Sequence, residues 1–185
     1  GKLLGLVPKQ NLARDGVHYE PRWFKAWQPG RLTELRGFKV GDQVFKIGDV
    51  TLGIEICEDA WVEARPAMSL KARGANLIFC PAASHFAFGK TKVRRALAVA
   101  AGLPYVYSNL MGNESGRIIF DGSATISDGL GNLVAEGPRF SFQSFGLCVA
   151  EIELAPSSPA PTGPAEGMAG TSGQAFGSRG QKWEN

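Results

Sequence analysis

Cys57 ends the apolar run over residues 50–56 and is followed at once by Glu58 and Asp59. A packing cysteine belongs inside such a run. One at its end sits at the lip of a sheet, where side chains meet solvent and substrate. Cysteine is the side chain best suited to attack a carbonyl carbon at neutral pH. The thiolate is the attacking species, and a thiol of pKa about 8.5 is mostly protonated there, so the sulfur needs a base or a positive neighbour. Lys9, in Val7-Pro8-Lys9-Gln10-Asn11-Leu12, follows a second apolar stretch, so its ammonium can project from the same sheet edge. It would favour the thiolate and stabilise the oxyanion formed when sulfur adds to an amide, with the Glu58 backbone N–H as second donor. Each residue also has a plain structural reading. Lys9 is a solvated loop lysine, Cys57 a small hydrophobe on a strand, and Glu58 and Asp59 are turn-shaping acceptors.

The remaining reactive side chains are few. Cys80 ends the similar run Leu77-Ile78-Phe79-Cys80-Pro81 and reads as packing, and Cys148, in an alternating stretch, reads as core. Three cysteines without a CxxC or a paired framework indicate reduced thiols and a cytoplasmic compartment. With His18 and His85 as the two histidines and no close Cys/His spacing, no structural zinc site and no metal ligand are expected. His85 invites a Cys57–His85 dyad, although a histidine among small residues and phenylalanines is more often a satisfied structural one. Ser84 and Lys90 bracket the same small-residue segment and could line a pocket. In the loop 109–117, Gly112 and Gly116 permit close backbone approach to a ligand, but the lysine and spacing of a phosphate loop are absent.

These groups must be held by a folded frame. The 185 residues are 44% apolar and 20% charged, enough for one domain with a proper core. A net charge of +3 with no basic–aromatic cluster argues against nucleic acid as a partner. No apolar run approaches a membrane span, and the first residues do not form a signal peptide. Strands are expected over 3–7, 43–47 and 50–57, the last two around a Gly48-Asp49 turn. A polar loop is expected from Pro8 to Gly30. Helices are expected over 64–73, stopped by Gly74, and over 91–101, stopped by Gly102, with Arg94 and Arg95 on the polar side of the second. Further strands are expected over 76–80 (closed by Pro81), 105–110, 117–121, 124–127, 133–135 and 147–154, with turn dipeptides between several of them. This is an α/β layered domain over residues 1–155. Residues 156–185, dominated by Pro, Gly, Ser and Ala, read as a disordered tail.

Three segments together resemble the nitrilase (carbon–nitrogen hydrolase) superfamily, in particular the glutaminase domains of its glutamine-dependent NAD+ synthetase branch. They are the lysine loop Val7–Leu12 with Asp15-Gly16-Val17-His18-Tyr19-Glu20-Pro21-Arg22-Trp23-Phe24, the nucleophile segment Gly53-Ile54-Glu55-Ile56-Cys57-Glu58-Asp59-Ala60-Trp61, and the substrate-side segment 81–90 with Tyr105-Val106-Tyr107-Ser108-Asn109. The resemblance covers about residues 3–154, and its Cys-Glu-Asp-x-Trp ending points to the synthetase branch.

The resemblance implies an αββα sandwich with a Glu–Lys–Cys triad. Within it Cys57 is the nucleophile, Lys9 the oxyanion-stabilising lysine and Glu20 a supporting glutamate that orients Lys9. Ser84 and Lys90 match positions that contact the substrate glutamine, Lys90 where arginine is common. Asp15 falls where some members carry a glutamine-contacting tyrosine.

Two departures accompany this. The triad's base glutamate lies well upstream of the lysine in the family, so the N-terminal part of the sandwich is expected to be missing from this sequence. The ATP-dependent synthetase domain does not follow, so ATP and Mg2+ belong to that domain and no cofactor is expected here. The implied function is hydrolysis of the glutamine amide to supply ammonia for NAD+ synthesis, with weak turnover in this chain. The implied partners are glutamine and a synthetase domain or a second copy of the chain. The alternatives are another amidase of the superfamily and a non-catalytic relative that acts in association.

Overall fold

The computed structural model describes residues 1–114 and 118–157. A hairpin of β1 (Leu32–Leu35) and β2 (Phe38–Gly41) comes first. Its two-residue turn, Arg36-Gly37, has positive φ at both positions, 51° and 80°, the backbone that matches the natural twist of paired strands.

The strands β3 (Val44–Ile47), β4 (Val50–Ile54), β5 (Leu77–Ala82), β6 (Tyr105–Asn109), β9 (Thr125–Ser127) and β10 (Leu133–Glu136) form one six-stranded sheet in the order β10-β9-β6-β5-β4-β3. β4, β5 and β6 are parallel at its centre, and the outer pairings are antiparallel. β7 (Met111–Asn113) and β8 (Ile119–Asp121) pair separately.

The parallel strands need crossovers, which α1 (Pro66–Ala72) and α2 (Lys90–Ala101) supply. α1 begins on Pro66, whose missing N–H costs nothing in the first turn. Both helices cover one sheet face: Ala67 and Leu70 of α1 and Ala98 and Ala101 of α2 share a core cluster with Ile78, Cys80, Tyr105 and Tyr107. Gly53 is needed there, because a Cβ would stand 2.9 Å from Ile78 Cδ1 and 3.0 Å from Leu70 Cβ. The other face of the central strands is half-buried. The fold is therefore a mixed sheet with one helix layer on one face among the described residues.

Several expectations need correction. Residues 3–7 form no strand; Leu6 makes an isolated bridge to Val40. The hairpin β1–β2 was not anticipated, because it alternates weakly and is exposed along β1. β4 stops at Ile54, so Cys57 stands on a 3-10 turn and not on the strand. β5 runs through Pro81, whose pairing with Ser108 continues the ladder. Residues 147–154 alternate like a strand but pair with nothing among the described residues. Leu147 and Val149 are exposed and Cys148 is half-buried rather than core, because a strand needs a neighbouring edge as well as a pattern. Arg94 is buried, not on the polar side of α2. Gly116, and residues 158–185 of the expected tail, lie outside the described residues. No described helix is long and apolar enough to cross a membrane.

Candidate active site

In open α/β sheets, ligands gather beyond the carboxyl ends of parallel strands. Here the chain leaves β4 toward Cys57, β5 toward Ser84 and His85, and β6 at Asn109, all at that edge. Cys57 itself has φ 49°, a left-handed conformation rare for a side chain of its kind. Such strain, of order 1–3 kcal/mol, persists only where the surroundings over-determine it.

Asp59 supplies much of that constraint. One of its oxygens accepts the Ile56 N–H at 3.0 Å and closes the turn around Cys57. The other accepts the Gln10 N–H at 3.1 Å, the Asn11 N–H at 2.6 Å and the Asn11 side-chain amide at 3.1 Å. One buried carboxylate thus fastens the Lys9 loop to the Cys57 turn.

Below the turn, Glu55 is fully buried and accepts the Ala67 N–H at 3.1 Å, the Tyr105 hydroxyl at 2.7 Å and the Arg65 guanidinium. This network ties the end of β4 to the start of α1 and to β6. A buried carboxylate paired this fully is costly to unpair.

Lys9 Nζ lies 2.7 and 2.6 Å from the two Glu20 oxygens, and Glu20 also accepts the Ala13 N–H at 2.6 Å. Glu20 is therefore placed to orient the lysine. Its proton-accepting oxygens are already engaged, which speaks against a role as base. The Cys57 thiol is pushed up by burial first, and the charges of Glu58 and Glu20 push the same way. The Ala83 backbone N–H and the Lys9 ammonium pull it down without overcoming burial. The Lys9 charge thus favours the thiolate, but burial and the two carboxylates outweigh it.

A cavity of about 560 Å³ opens in front of Cys57, lined by Glu58, Trp61, Ser84, Lys90 and Asp15 among others. Ser84, Lys90 and Asp15, the expected substrate residues, thus line one cavity with Cys57. Lys90 Nζ stands 5.5 Å over the Trp61 ring, and burial and then Arg94 lower its proton affinity. Burial raises the Glu58 carboxyl, reinforced by Asp15 and Glu20 and opposed by Lys9 and Lys90. Burial also acts to raise Asp15, but the His18 and Val17 N–H groups and the His18 ring outweigh it and hold the carboxyl at about 2. His85 lines the same cavity, but its ring faces Lys90, Asp15 and His18, and no hydrogen bond to Cys57 is among its contacts. The Cys57–His85 dyad does not form.

Three supports escaped the sequence reading. Arg94 donates to the Ser84 carbonyl at 2.7 Å, the His85 carbonyl at 3.0 Å and Asp121 at 2.8 Å, and Asn109 accepts the Ser84 N–H at 2.8 Å. Together they fix the pocket-lining turn after β5. The third is the Glu55–Arg65–Tyr105 network. A signal for Arg94 existed: it occupies the same helical stripe as the buried Ala98 and Ala101.

A sequence profile of the family described as carbon-nitrogen hydrolase matches residues 4–161. The glutamine-dependent NAD(+) synthetase of Mus musculus is 29% identical over 170 aligned residues, covering 83% of this chain and 23% of the relative. The Homo sapiens protein of the same name is also 29% identical, with 83% and 24% covered. The chain spans about a quarter of the length of these curated relatives. Among solved structures, a glutamine-dependent NAD(+) synthetase from Cytophaga hutchinsonii superposes with a TM-score of 0.66 at 37% identity, covering 81% of this chain and 26% of that one. A carbon-nitrogen hydrolase from Helicobacter pylori G27, at 24% identity and a TM-score of 0.60 over 78% of this chain and 50% of that one, shares the fold.

Proposed function

Because the chain belongs to the carbon-nitrogen hydrolase family, we propose that it carries the ammonia-releasing half of a glutamine-dependent NAD+ synthetase, with Cys57 attacking the side-chain amide of glutamine. The observation that carries this reading is the Asp59 carboxylate, which binds the Lys9 loop and the Cys57 turn at once. It ties the segment that carries the ammonium to the turn that carries the sulfur, and the Lys9 charge lowers the proton affinity of that thiol.

In the first step a base takes the thiol proton, the C–S bond forms, and the amide oxygen becomes an oxyanion held by Lys9 and the Glu58 N–H. Glu20 is committed to Lys9 and to the Ala13 N–H, so it does not serve as that base. The resemblance gives the role to a glutamate upstream of the lysine loop. The C–N bond then breaks as the nitrogen gains the proton, and ammonia leaves a γ-glutamyl thioester. Water hydrolyses the thioester to glutamate and restores the thiol.

The cavity favours an amino-acid amide over a plain one. Glu58 and Asp15 offer negative charge for an α-ammonium, and Lys90 offers positive charge for an α-carboxylate. A simple aliphatic amide would use none of them.

The test is alkylation by a chloroketone analogue of glutamine, read by mass spectrometry of each cysteine. Modification of Cys57 over Cys80 and Cys148, with protection by glutamine and little by propionamide, is the expected result. Equal labelling of the three cysteines would refute a live site. Protection by the aliphatic amide alone would reassign the substrate within the superfamily.

A further inference from the structure

We infer that Asp15, His18 and His85 form a binding site for a borderline divalent transition-metal ion, Zn2+ foremost, in the wall of the cavity that contains Cys57. The three side chains each offer a ligand atom, and these atoms lie within 4.8 Å of one another. Asp15 Oδ2 is 3.1 Å from His18 Nδ1 and 3.9 Å from His85 Nδ1, and the two imidazole rings are 5.2 Å apart. Zinc bonds of about 2.0–2.2 Å place tetrahedral ligand atoms roughly 3.3–3.5 Å apart, so small side-chain shifts close the set.

Two segments supply it. Asp15 and His18 come from the lysine loop, where Asp15 Oδ1 accepts the Val17 and His18 N–H groups at 3.0 and 2.7 Å and so fixes the pair. His85 comes from the turn after β5, which Arg94 and Asn109 hold rigid. The His18 ring also has an unmet demand, since its Nε2 is buried with no hydrogen-bond partner among the described residues.

The donor set selects the ion. Two imidazoles and one carboxylate suit Zn2+, Co2+ or Ni2+, whereas Mg2+ and Ca2+ prefer oxygen ligands. A fourth position would remain for water on the cavity side. Lys90 opposes the ion, because its Nζ lies 3.3 and 3.4 Å from the two His85 ring nitrogens and must swing aside on binding. All three ligands line the cavity that holds Cys57. An ion there bridges the two segments and competes with substrate, which makes the site inhibitory.

Calorimetric titration of Zn2+ into the C57A chain removes the competing thiol and reads binding directly, without turnover. The Co2+ absorption spectrum of the same variant reports the geometry. One ion per chain with a tetrahedral Co2+ spectrum is expected. D15N, H18A and H85A should each weaken binding by about tenfold or more, since each removes one of three ligands. K90M should tighten it. In the unsubstituted chain, Zn2+ should slow alkylation of Cys57, and a chelator should restore it. Unchanged binding in H18A and H85A overturns the site, as does an absence of any bound ion in C57A. Neither result touches the amide-hydrolysis reading, which rests on selective labelling of Cys57 without metal.

Discussion

Cys57 and Cys80 follow the same kind of apolar run on neighbouring parallel strands, yet their environments oppose each other. β5 carries on past Cys80 through Pro81 and Ala82, so that thiol stays inside the sheet, fully buried, with burial pushing it up to about 12. β4 stops at Ile54, and the chain enters a 3-10 turn on which Cys57 adopts its positive φ at the cavity. Burial raises both thiols. Hydrogen bonds pull the other way at both, but only Cys57 also has a positive charge, the Lys9 ammonium, doing so. Where the ladder ends, and what is pinned beside that end, separates a sulfur at the cavity from one sealed in the sheet.

Lys9→Met should remove most of that difference. Losing one oxyanion donor typically costs 10²–10³-fold in rate, and we expect a fall of about that size in ammonia release from glutamine. The pH dependence shifts as well. The thiolate reacts, and burial holds the Cys57 thiol above the ordinary thiol range, so labelling should still be rising at pH 9 in the unsubstituted chain. Removing Lys9 deletes a charge that lowers this value and leaves Glu20, which raises it, so the profile moves to still higher pH. A profile that stays in place would show that Lys9 and Cys57 are not electrostatic neighbours.

Asp59→Asn tests the clamp. It weakens acceptance from three backbone N–H groups at the Lys9 loop and the nucleophile turn. Poorly satisfied buried donors cost about 1–3 kcal/mol, which denaturant unfolding can measure. The ratio of Cys57 to Cys80 and Cys148 labelling should fall toward parity as the turn loosens. Lost stability with selectivity intact would make Asp59 a stability element only.

Much of this site was legible in the chain. The apolar run that leads to Cys57, the lysine loop and the small-residue segment 81–90 each carry a local signal, and residues of all three line one cavity. The central sheet was legible for the same reason, since β4, β5 and β6 are short apolar runs bounded by turn residues. What escaped depends on distant partners. Residues 147–154 alternate like a strand, but no pattern reveals whether an edge awaits them. Arg94 reads as a surface charge until Asp121 and the carbonyls of Ser84 and His85 are seen around it. Asp15, His18 and His85 have no metal-ligand spacing, because the first two sit on one loop and the third on a turn far along the chain. Asp59 was read as a shaper of its own turn, which it is, while its hold on Gln10 and Asn11 is long-range.

Cys80→Ala should have the smallest effect and sharpens the contrast from the inert side. The sulfur packs with Ile78, Tyr105 and Tyr107, so removing it leaves a small void worth about 1 kcal/mol. It also accepts the Cys57 backbone N–H. Sulfur is a weak acceptor, and Asp59 and the Glu55 network hold the same turn with stronger bonds. Labelling of Cys57 by the glutamine chloroketone should therefore keep its rate and its stoichiometry of one per chain. If the rate instead fell as far as in Lys9→Met, the positive-φ geometry of Cys57 would depend on the sulfur beneath it, and the two cysteines would have to be treated as one unit.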